Sequence, residues 1–251
     1  MKILHLDIET FPHLGYHWGL FKQNIAVNQI VESGKTASWA AKWHGESNLM
    51  YAGLNTHTER GMIEVIWKIL DKADVVCHYN GARFDMPTLN KEFLKFGMAP
   101  PSPYQQIDLL QTARKQFRLA SNKLDYVAQY VGVGKKVNHK GMELWTGCME
   151  GNEEDWEVME EYNKQDVSLL EELYLKLLPW IQGHPNPALF NEDTDMQCPK
   201  CGGKHLQKRG TYKTKVQMYQ RYQCQDCFSW SRERFTMLPK DKRKQIINGV
   251  V

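Results

Sequence analysis

The 251-residue chain has no run approaching the ~18 apolar residues of a membrane-spanning helix, and its mean hydropathy is negative. Its first residues, MKILHLDIETF, put carboxylates where a secretory signal needs an unbroken apolar stretch, so export is not expected. There is no internal repeat and no low-complexity tract. The loop Gly132-Val133-Gly134-Lys135 lacks the earlier glycine and the Ser/Thr of a nucleotide-phosphate cradle. Disorder is equally excluded, since 42% of residues are hydrophobic and only 24% charged. Cysteine is scarce outside one region: Cys77 and Cys148 stand isolated, which argues against a disulfide scaffold. The expectation is a soluble, cytoplasmic protein without membrane attachment, long enough to bury a core.

Charge is present but unevenly distributed. Residues 196–251 carry 13 Lys/Arg against 3 Asp/Glu, whereas residues 1–195 carry 19 against 26. A basic tail on an acidic body points to a polyanion-binding module joined to a carboxylate-rich one. Three segments follow: a large domain over 1–182, a linker over 183–197 with Pro185, Pro187 and acidic Glu192, Asp193 and Asp195, and a basic module over 198–251.

Residues 2–9 alternate with period two and predict a strand, with Leu4, Leu6 and Ile8 on one face and Ile3, His5, Asp7 and Glu9 on the other. Lys35–Trp43 and Asn48–Leu54 predict a hairpin, and Val75–His78 a short buried strand. Helical spacing predicts helices over 62–73, 88–96, from a Ser121 N-cap to Val131, and over 153–178. The fold class is therefore α/β, a mixed sheet with helices.

Three groups of residues carry chemistry. Asp7 and Glu9 project from one strand face, where like charges repel unless a cation lies between them. A hard divalent ion held by carboxylate oxygens resolves that conflict. In Asn80-Gly81-Ala82-Arg83-Phe84-Asp85 an apolar strand ends, a turn follows and Asp85 is presented ahead of a helix, a strand-end loop of the kind that hosts catalysis. Tyr162 and Asp166 lie four apart on one helix face, and Asp166, beside Val167 and Leu170, needs a partner. Singly, each also fits a plainer role: a solvated strand end, a helix N-terminal carboxylate, and a boundary Asp paired with Lys164 or solvent.

Taken together and in this order, Asp-x-Glu, Asn-x4-Asp and Tyr-x3-Asp resemble the DEDD superfamily of 3′–5′ exonucleases over residues 2–178. The resemblance is to the branch with tyrosine in the third motif; the other branch has His five residues before the last Asp, where this chain has Glu161. Ile107-Asp108-Leu109-Leu110, followed by Ser121–Gly132, is similar to family-B polymerase proofreading domains, with Asp108 either a supporting carboxylate or a helix cap. The resemblance implies an RNase H-like sheet flanked by helices, and two Mg²⁺ or Mn²⁺ ions held by Asp7, Glu9, Asp85 and Asp166. Tyr162 would orient the attacking water rather than act as a full base. Thr10 and Phe11 would line the 3′-terminal nucleotide, and Asn80 and Phe84 would support the site. No polymerase motifs follow, so the expected enzyme is free-standing and metal-dependent, acting on single-stranded DNA in preference to RNA, with replication or repair proteins as partners. The alternatives are an exoribonuclease, an endonuclease on the same fold, or a binding adaptor with an idle acidic quartet.

Cys198-Pro199-Lys200-Cys201 and Cys224-Gln225-Asp226-Cys227 are separated by 22 residues. Two such knuckles supply four thiolates for one structural Zn²⁺, as in zinc ribbons, and so small a module needs metal to fold. Aromatics alternate with bases around the ligands. Arg221, Trp230, Arg232 and Arg234 are the expected nucleic-acid contacts, cations on phosphates and aromatic faces on unpaired bases. Against that stands a plainer role for the aromatics as the ribbon's miniature core. His5, on the carboxylate face, is expected to pack in the core, and His13, His17, His44, His78 and His139 show no ligand spacing or convergent partners. Trp18, Trp39 and Trp43 either sit in the core, the expected place, or line a substrate channel, and Cys77 is expected in the core. Lys135, Lys136 and Lys140 either touch a nucleic-acid backbone or lie in a solvated loop.

Overall fold

The alternating N-terminal residues form strand β1 (Ile3–Thr10). In this computed structural model, which describes residues 1–249, β1 is the middle strand of five. The last two residues of the expected basic module lie outside that description. A short pair, β2 (Leu14–Gly15) with β3 (Ile30–Glu32), precedes the predicted hairpin, β4 (Thr36–Trp43) and β5 (Leu49–Gly53). Helix α1 (Glu59–Leu70), β6 (Val75–His78), α2 (Asp85–Lys95) and β7 (Gln105–Asp108) follow. Then come α3 (Leu109–Gln116), α4 (Leu124–Tyr130), α5 (Met142–Glu150) and the long α6 (Glu153–Leu177). Strand order is β5-β4-β1-β6-β7, with β1 antiparallel to β4 and parallel to β6, and β6 parallel to β7. This is the mixed sheet with flanking helices expected from the sequence.

Both faces of β1 are covered. Leu4, Leu6 and Ile8 pack against Met62, Ile63, Ile66 and Leu70 of α1 and Met86, Leu89 and Phe93 of α2. Truncating one of these buried aliphatics costs about 2–5 kcal/mol. Thr58 starts α1 by accepting the Gly61 N–H at 3.1 Å. A second cluster, Phe11, Ala37, Leu144, Cys148, Trp156 and Met159, joins β4, α5 and α6. The odd residues of β1 therefore face α6.

Several expectations need correction. Ser121 is not an N-cap: α4 begins at Leu124 after an extended Lys123, and Ser121 Oγ accepts the Lys123 N–H one turn earlier. Helices α1 and α2 start three residues before the predicted bounds: the first turn of α1 has no buried residue, and in α2 buried Met86 precedes Pro87, which hides the helical spacing. Trp39 is buried, but Trp18 is 97% exposed, on a segment with Tyr16, Leu20 and Phe21 also in solvent. Cys77 is fully buried as expected.

The described residues divide into two compact units, Lys2–Leu175 and the portion from Lys176 onward. The second contains a three-stranded antiparallel sheet, β8 (Leu206–Lys213), β9 (Met218–Cys224) and β10 (Trp230–Arg232), with β9 central, followed by α7 (Lys240–Gln245). Among the described residues no helix is long and apolar enough to cross a membrane.

Candidate active site

Strand β1 pairs with β6 only over Ile3–His5, because β6 stops at His78. The N–H of Ile8 is thus free of a strand partner, and Asp85, the first residue of α2, accepts it through Oδ1 at 3.1 Å. Asp85 is by this bond fastened between Asp7 and Glu9. The turn that delivers it is built around Asn80, at φ 71°, and Gly81. A Cβ at Gly81 would lie 2.5 Å from the His78 ring and 2.9 Å from Asp85 Oδ2. Gly81 N–H donates to His78 Nδ1 at 3.0 Å, so the His78 proton resides on Nε2 and faces Gln106 Oε1. Asp108 is a helix cap: its Oδ1 accepts from Leu110 N and from Asn80 N, both at 3.0 Å, which ties α3 to the turn.

Helix α6 supplies the opposite wall. Asn163 Nδ2 donates to Asp7 Oδ2 at 2.8 Å, while its Oδ1 accepts from Ser38 Oγ of β4 at 3.1 Å. One turn along, Asp166 brings an oxygen to within 4.8 Å of oxygens on Asp7 and Glu9. Four carboxylates from three distant segments thereby share one recess. Burial, then Asp85, Glu9 and Asp166 in turn, hold the Asp7 carboxyl well above the usual range. Burial and Asp166 push Glu9 to about 8. Burial raises Asp85 to about 7 despite the opposing Ile8 N–H, and it raises Asp166 despite Lys136. Asp166 Oδ1 is buried without a hydrogen-bond partner. Clustered, proton-retaining oxygens with an orphaned acceptor among them fit hard divalent cations.

Lys136 joins this recess although nothing in the local sequence singled it out. The partner proposed for Asp166, Lys164, instead pairs with Glu160 one turn earlier. Lys136 reaches in from the loop before α5, forms an ion pair with Asp166 and donates to Tyr162 Oη at 2.9 Å. Its ammonium also lies 4.9 Å from the Tyr162 ring centre. Burial and Asp166 raise the Tyr162 phenol to about 12, so it is a neutral hydroxyl at physiological pH. Nothing in local spacing links residue 136 to 162 or 166; a second lysine in a glycine-containing loop was the only signal.

The remaining expected residues are near but differently disposed. Phe84 is 46% exposed immediately before Asp85. Thr10 follows a register shift in the β1–β4 ladder. Phe11 is largely buried, edge-on to Trp156 at 5.9 Å, and forms one wall of a cavity of about 670 Å³ that also meets Lys35, Asn55 and Glu157. A second cavity of about 570 Å³ is lined by Asn80, Arg114, Lys123 and Lys136.

In the C-terminal unit, Cys198, Cys201, Cys224 and Cys227 converge, each with its sulfur within 4.8 Å of the others. The Cys198–Cys227 and Cys201–Cys224 Sγ separations are 3.6 and 3.7 Å. They are too long for disulfides and close to the ~3.8 Å edge of a tetrahedron with Zn–S bonds of ~2.3 Å. Backbone N–H groups of Lys200 and Gly203 donate to Cys198 and Cys201 sulfurs at 3.4 and 3.3 Å. Burial opposes ionisation of Cys198, but hydrogen bonds from Ser229 and the knuckle backbone bring it to about 7. The cluster is consistent with a zinc ribbon.

The ribbon's arginines and aromatics are brought together, though not as free stacking platforms. Arg221 lies over Trp230 at 4.8 Å, Arg232 over Tyr219 at 3.9 Å, and Arg234 beside Phe235 at 5.7 Å. The register places Tyr212 opposite Tyr219 and Arg221 opposite Arg232. Tyr222 lies on the other face of β9 together with Cys224 and is buried, whereas Tyr219 and Arg221 share the face of Trp230 and Arg232.

Comparison with known proteins agrees with this architecture. The chain is 26% identical over 204 residues to a DNA polymerase of Thermococcus litoralis, a match covering 71% of this chain and 12% of that protein. Its fold is similar to the family B DNA polymerase of the hyperthermophilic archaeon Pyrobaculum calidifontis, with a TM-score of 0.50, 22% identity, and coverage of 71% of this chain and 24% of that one. The chain thus spans a small part of the proteins it matches. The RNase_H superfamily model RNase_H_2 matches residues 39–178, which include Asp85, Tyr162 and Asp166 and begin after Asp7 and Glu9. With more than half its length so matched, and with β1 adding the two remaining carboxylates to the same recess, the chain belongs to the RNase H superfamily.

Proposed function

We propose that this chain is a nuclease that removes nucleotides from the 3′ end of single-stranded DNA. The observation that carries the reading is the convergence of Asp7, Glu9 and Asp166, with Asp85 fastened to the backbone between the first two. Asp7, Glu9, Asp85 and Asp166 would hold two Mg²⁺ or Mn²⁺ ions. Those ions, when bound, supply Lewis-acid activation of water and charge stabilisation at the scissile phosphate.

The chain's own residues have defined tasks. Tyr162, neutral at physiological pH, offers a hydroxyl that orients the attacking water and does not take its proton. Lys136 fixes that hydroxyl through its donated hydrogen bond and holds positive charge beside the phosphate position. Asn163 aims Asp7 by bonding its outer oxygen. The cavity lined by Arg114, Lys123 and Lys136 offers cations to the phosphates upstream of the terminal nucleotide. Thr10, Phe11, Asn80 and Phe84 border the 3′-terminal nucleotide. In the ribbon, one zinc ion on the four cysteines holds the sheet on which Arg221, Trp230, Arg232 and Arg234 meet the strand.

The test is a gel assay with 5′-labelled single-stranded DNA and matching RNA, comparing wild type and Asp7→Ala with Mg²⁺, Mn²⁺ or EDTA. A ladder shortening from the 3′ end, absent in the variant and in EDTA, is expected, with DNA the better substrate. Faster RNA degradation would make it an exoribonuclease. Intact but gel-shifted oligonucleotide would replace the enzyme by a binding module.

A further inference from the structure

His5, His44 and Glu171 are separated by 39 and 127 positions, and no spacing rule connects them. In the fold they meet. His5 lies on β1, two residues before Asp7; His44 lies on the turn between β4 and β5; Glu171 lies on α6, five residues after Asp166. His5 Nε2 is 3.2 Å from His44 Nδ1, and His44 Nδ1 is 3.1 Å from Glu171 Oε1. All three ligand atoms fall within 4.8 Å of one another. An ion with tetrahedral bonds of ~2.0–2.1 Å has ligand–ligand edges of ~3.3 Å, and the two short separations match that edge.

Hydrogen bonding alone serves this trio poorly. His44 Nδ1 faces both an imidazole nitrogen and a carboxylate oxygen. A proton on it can be directed at one of them, leaving the other lone pair confronting an acceptor. A proton on His5 Nε2 instead turns the His44 lone pair against the carboxylate. Three acceptors aimed at one point are the arrangement a cation satisfies.

The surroundings fix Glu171 and the planes of the two imidazoles, while His5 Nδ1 is buried without a hydrogen-bond partner. Lys42 Nζ takes the far oxygen of Glu171 at 2.5 Å, and Gly45 N–H donates to Oε1 at 2.8 Å. Tyr174 packs edge-on against both imidazoles, with ring centres at 5.3 and 5.1 Å, and fixes their planes. His5 is fully buried, while the side chain of His44 keeps 30% of its exposure, which gives an entry path and leaves a fourth position to water. Two imidazoles and one carboxylate tempered by Lys42 suit a borderline ion and not Mg²⁺ or Ca²⁺.

We propose that His5, His44 and Glu171 bind one zinc ion, separate from the acidic recess and from the four cysteines. The ion would act as a staple joining β1, the β4–β5 turn and α6, two of which also carry the acids.

The experiment is zinc stoichiometry of the full chain by native mass spectrometry after dialysis against low-micromolar Zn²⁺. Wild type is compared with His44→Ala, Glu171→Gln, Asp7→Asn and Cys201→Ser, and folding of each is checked by circular dichroism. Wild type should hold two equivalents and Asp7→Asn two. His44→Ala and Glu171→Gln should hold one, and Cys201→Ser should lose the other. Because His44 sits on a surface turn, its replacement leaves the core intact. Co²⁺ added to the zinc-loaded wild type after mild depletion should give a d–d absorption band without thiolate charge transfer, absent in His44→Ala. Wild type holding no zinc beyond the cysteine equivalent overturns the proposal. So does an unchanged count in His44→Ala, or loss of the second equivalent in Asp7→Asn.

Discussion

Replacing Lys136 by methionine keeps most of the side-chain volume and removes the charge from the acidic recess. Asp166 is 2% exposed, and its Oδ1 already lacks a partner, so the change strands both oxygens. Breaking a buried ion pair from one side costs about 3–5 kcal/mol. The Lys136 side chain is 27% exposed, and solvent screens part of the interaction, so a loss of about 2–3 kcal/mol is expected at pH 8. In a unit the size of Lys2–Leu175 that is a fall in Tm of about 5–10 °C. The loss has a direction in pH. Without Lys136 the folded-state pKa of Asp166 rises further above its unfolded value, so the native state keeps a proton that the unfolded state gives up as pH rises. The penalty must therefore shrink toward pH 5, and millimolar Mn²⁺ must narrow it at pH 8. Scanning calorimetry at pH 5.5 and 8, with EDTA or Mn²⁺, measures this. An equal loss of Tm at both pH values would refute the electrostatic account and leave Lys136 a packing residue. Turnover should also fall about 10–100-fold, since the hydroxyl of Tyr162 loses a charged donor.

In EDTA the wild-type protein should itself lose stability as pH rises from about 5 to 8. Glu9 and Asp85 hold protons to about 8 and 7 in the native state and release them near the ordinary carboxylate range when unfolded; a flat Tm over that window would contradict the clustered acids. Gly81→Ala forces a methyl into the His78 ring and toward Asp85, and should cost about 1–3 kcal/mol with loss of cleavage, read by melting and gel assay. Arg232→Ala uncovers Tyr219 and removes one cation, so the salt slope of oligonucleotide binding should drop by about 0.7; fluorescence anisotropy at several salt concentrations reads it, and an unchanged slope would remove Arg232 from the interface.

What could be read from the sequence is what neighbours in the chain encode. Asp7 and Glu9 share a strand face, Tyr162 and Asp166 share a helix face, and the cysteine knuckles repeat a short spacing, so each half-site was visible before any fold. The order of these motifs also foretold the sheet with its flanking helices. Lys136 was not visible, because its meaning depends on a loop crossing to α6, 30 residues away. The strand β7 escaped because only Ile107 of its four residues is buried, and α5 because Leu144 and Cys148 are its only buried side chains. The sequence leaves the ribbon's aromatics between base-stacking faces and a miniature core, since no local rule reveals that Arg221 and Arg232 from paired strands already lie across Trp230 and Tyr219.

The one-residue slip between β1 and β4 falls immediately after Glu9. Up to that point the acids are held by the ladder and by the Asp85 bond; beyond it pairing continues only through Thr10 with Thr36 and the Phe11 N–H on Lys35 O before the chain leaves the sheet. The slip therefore works as a firebreak. Residues 16–29, the connection between β2 and β3, can lengthen, shorten or change composition without shifting Asp7 or Glu9 by a register step, and each doubling of such a loop costs only about 0.6 kcal/mol. With Tyr16, Trp18 and Phe21 already exposed there, this stretch can change its surface while Asp7 and Glu9 stay in register.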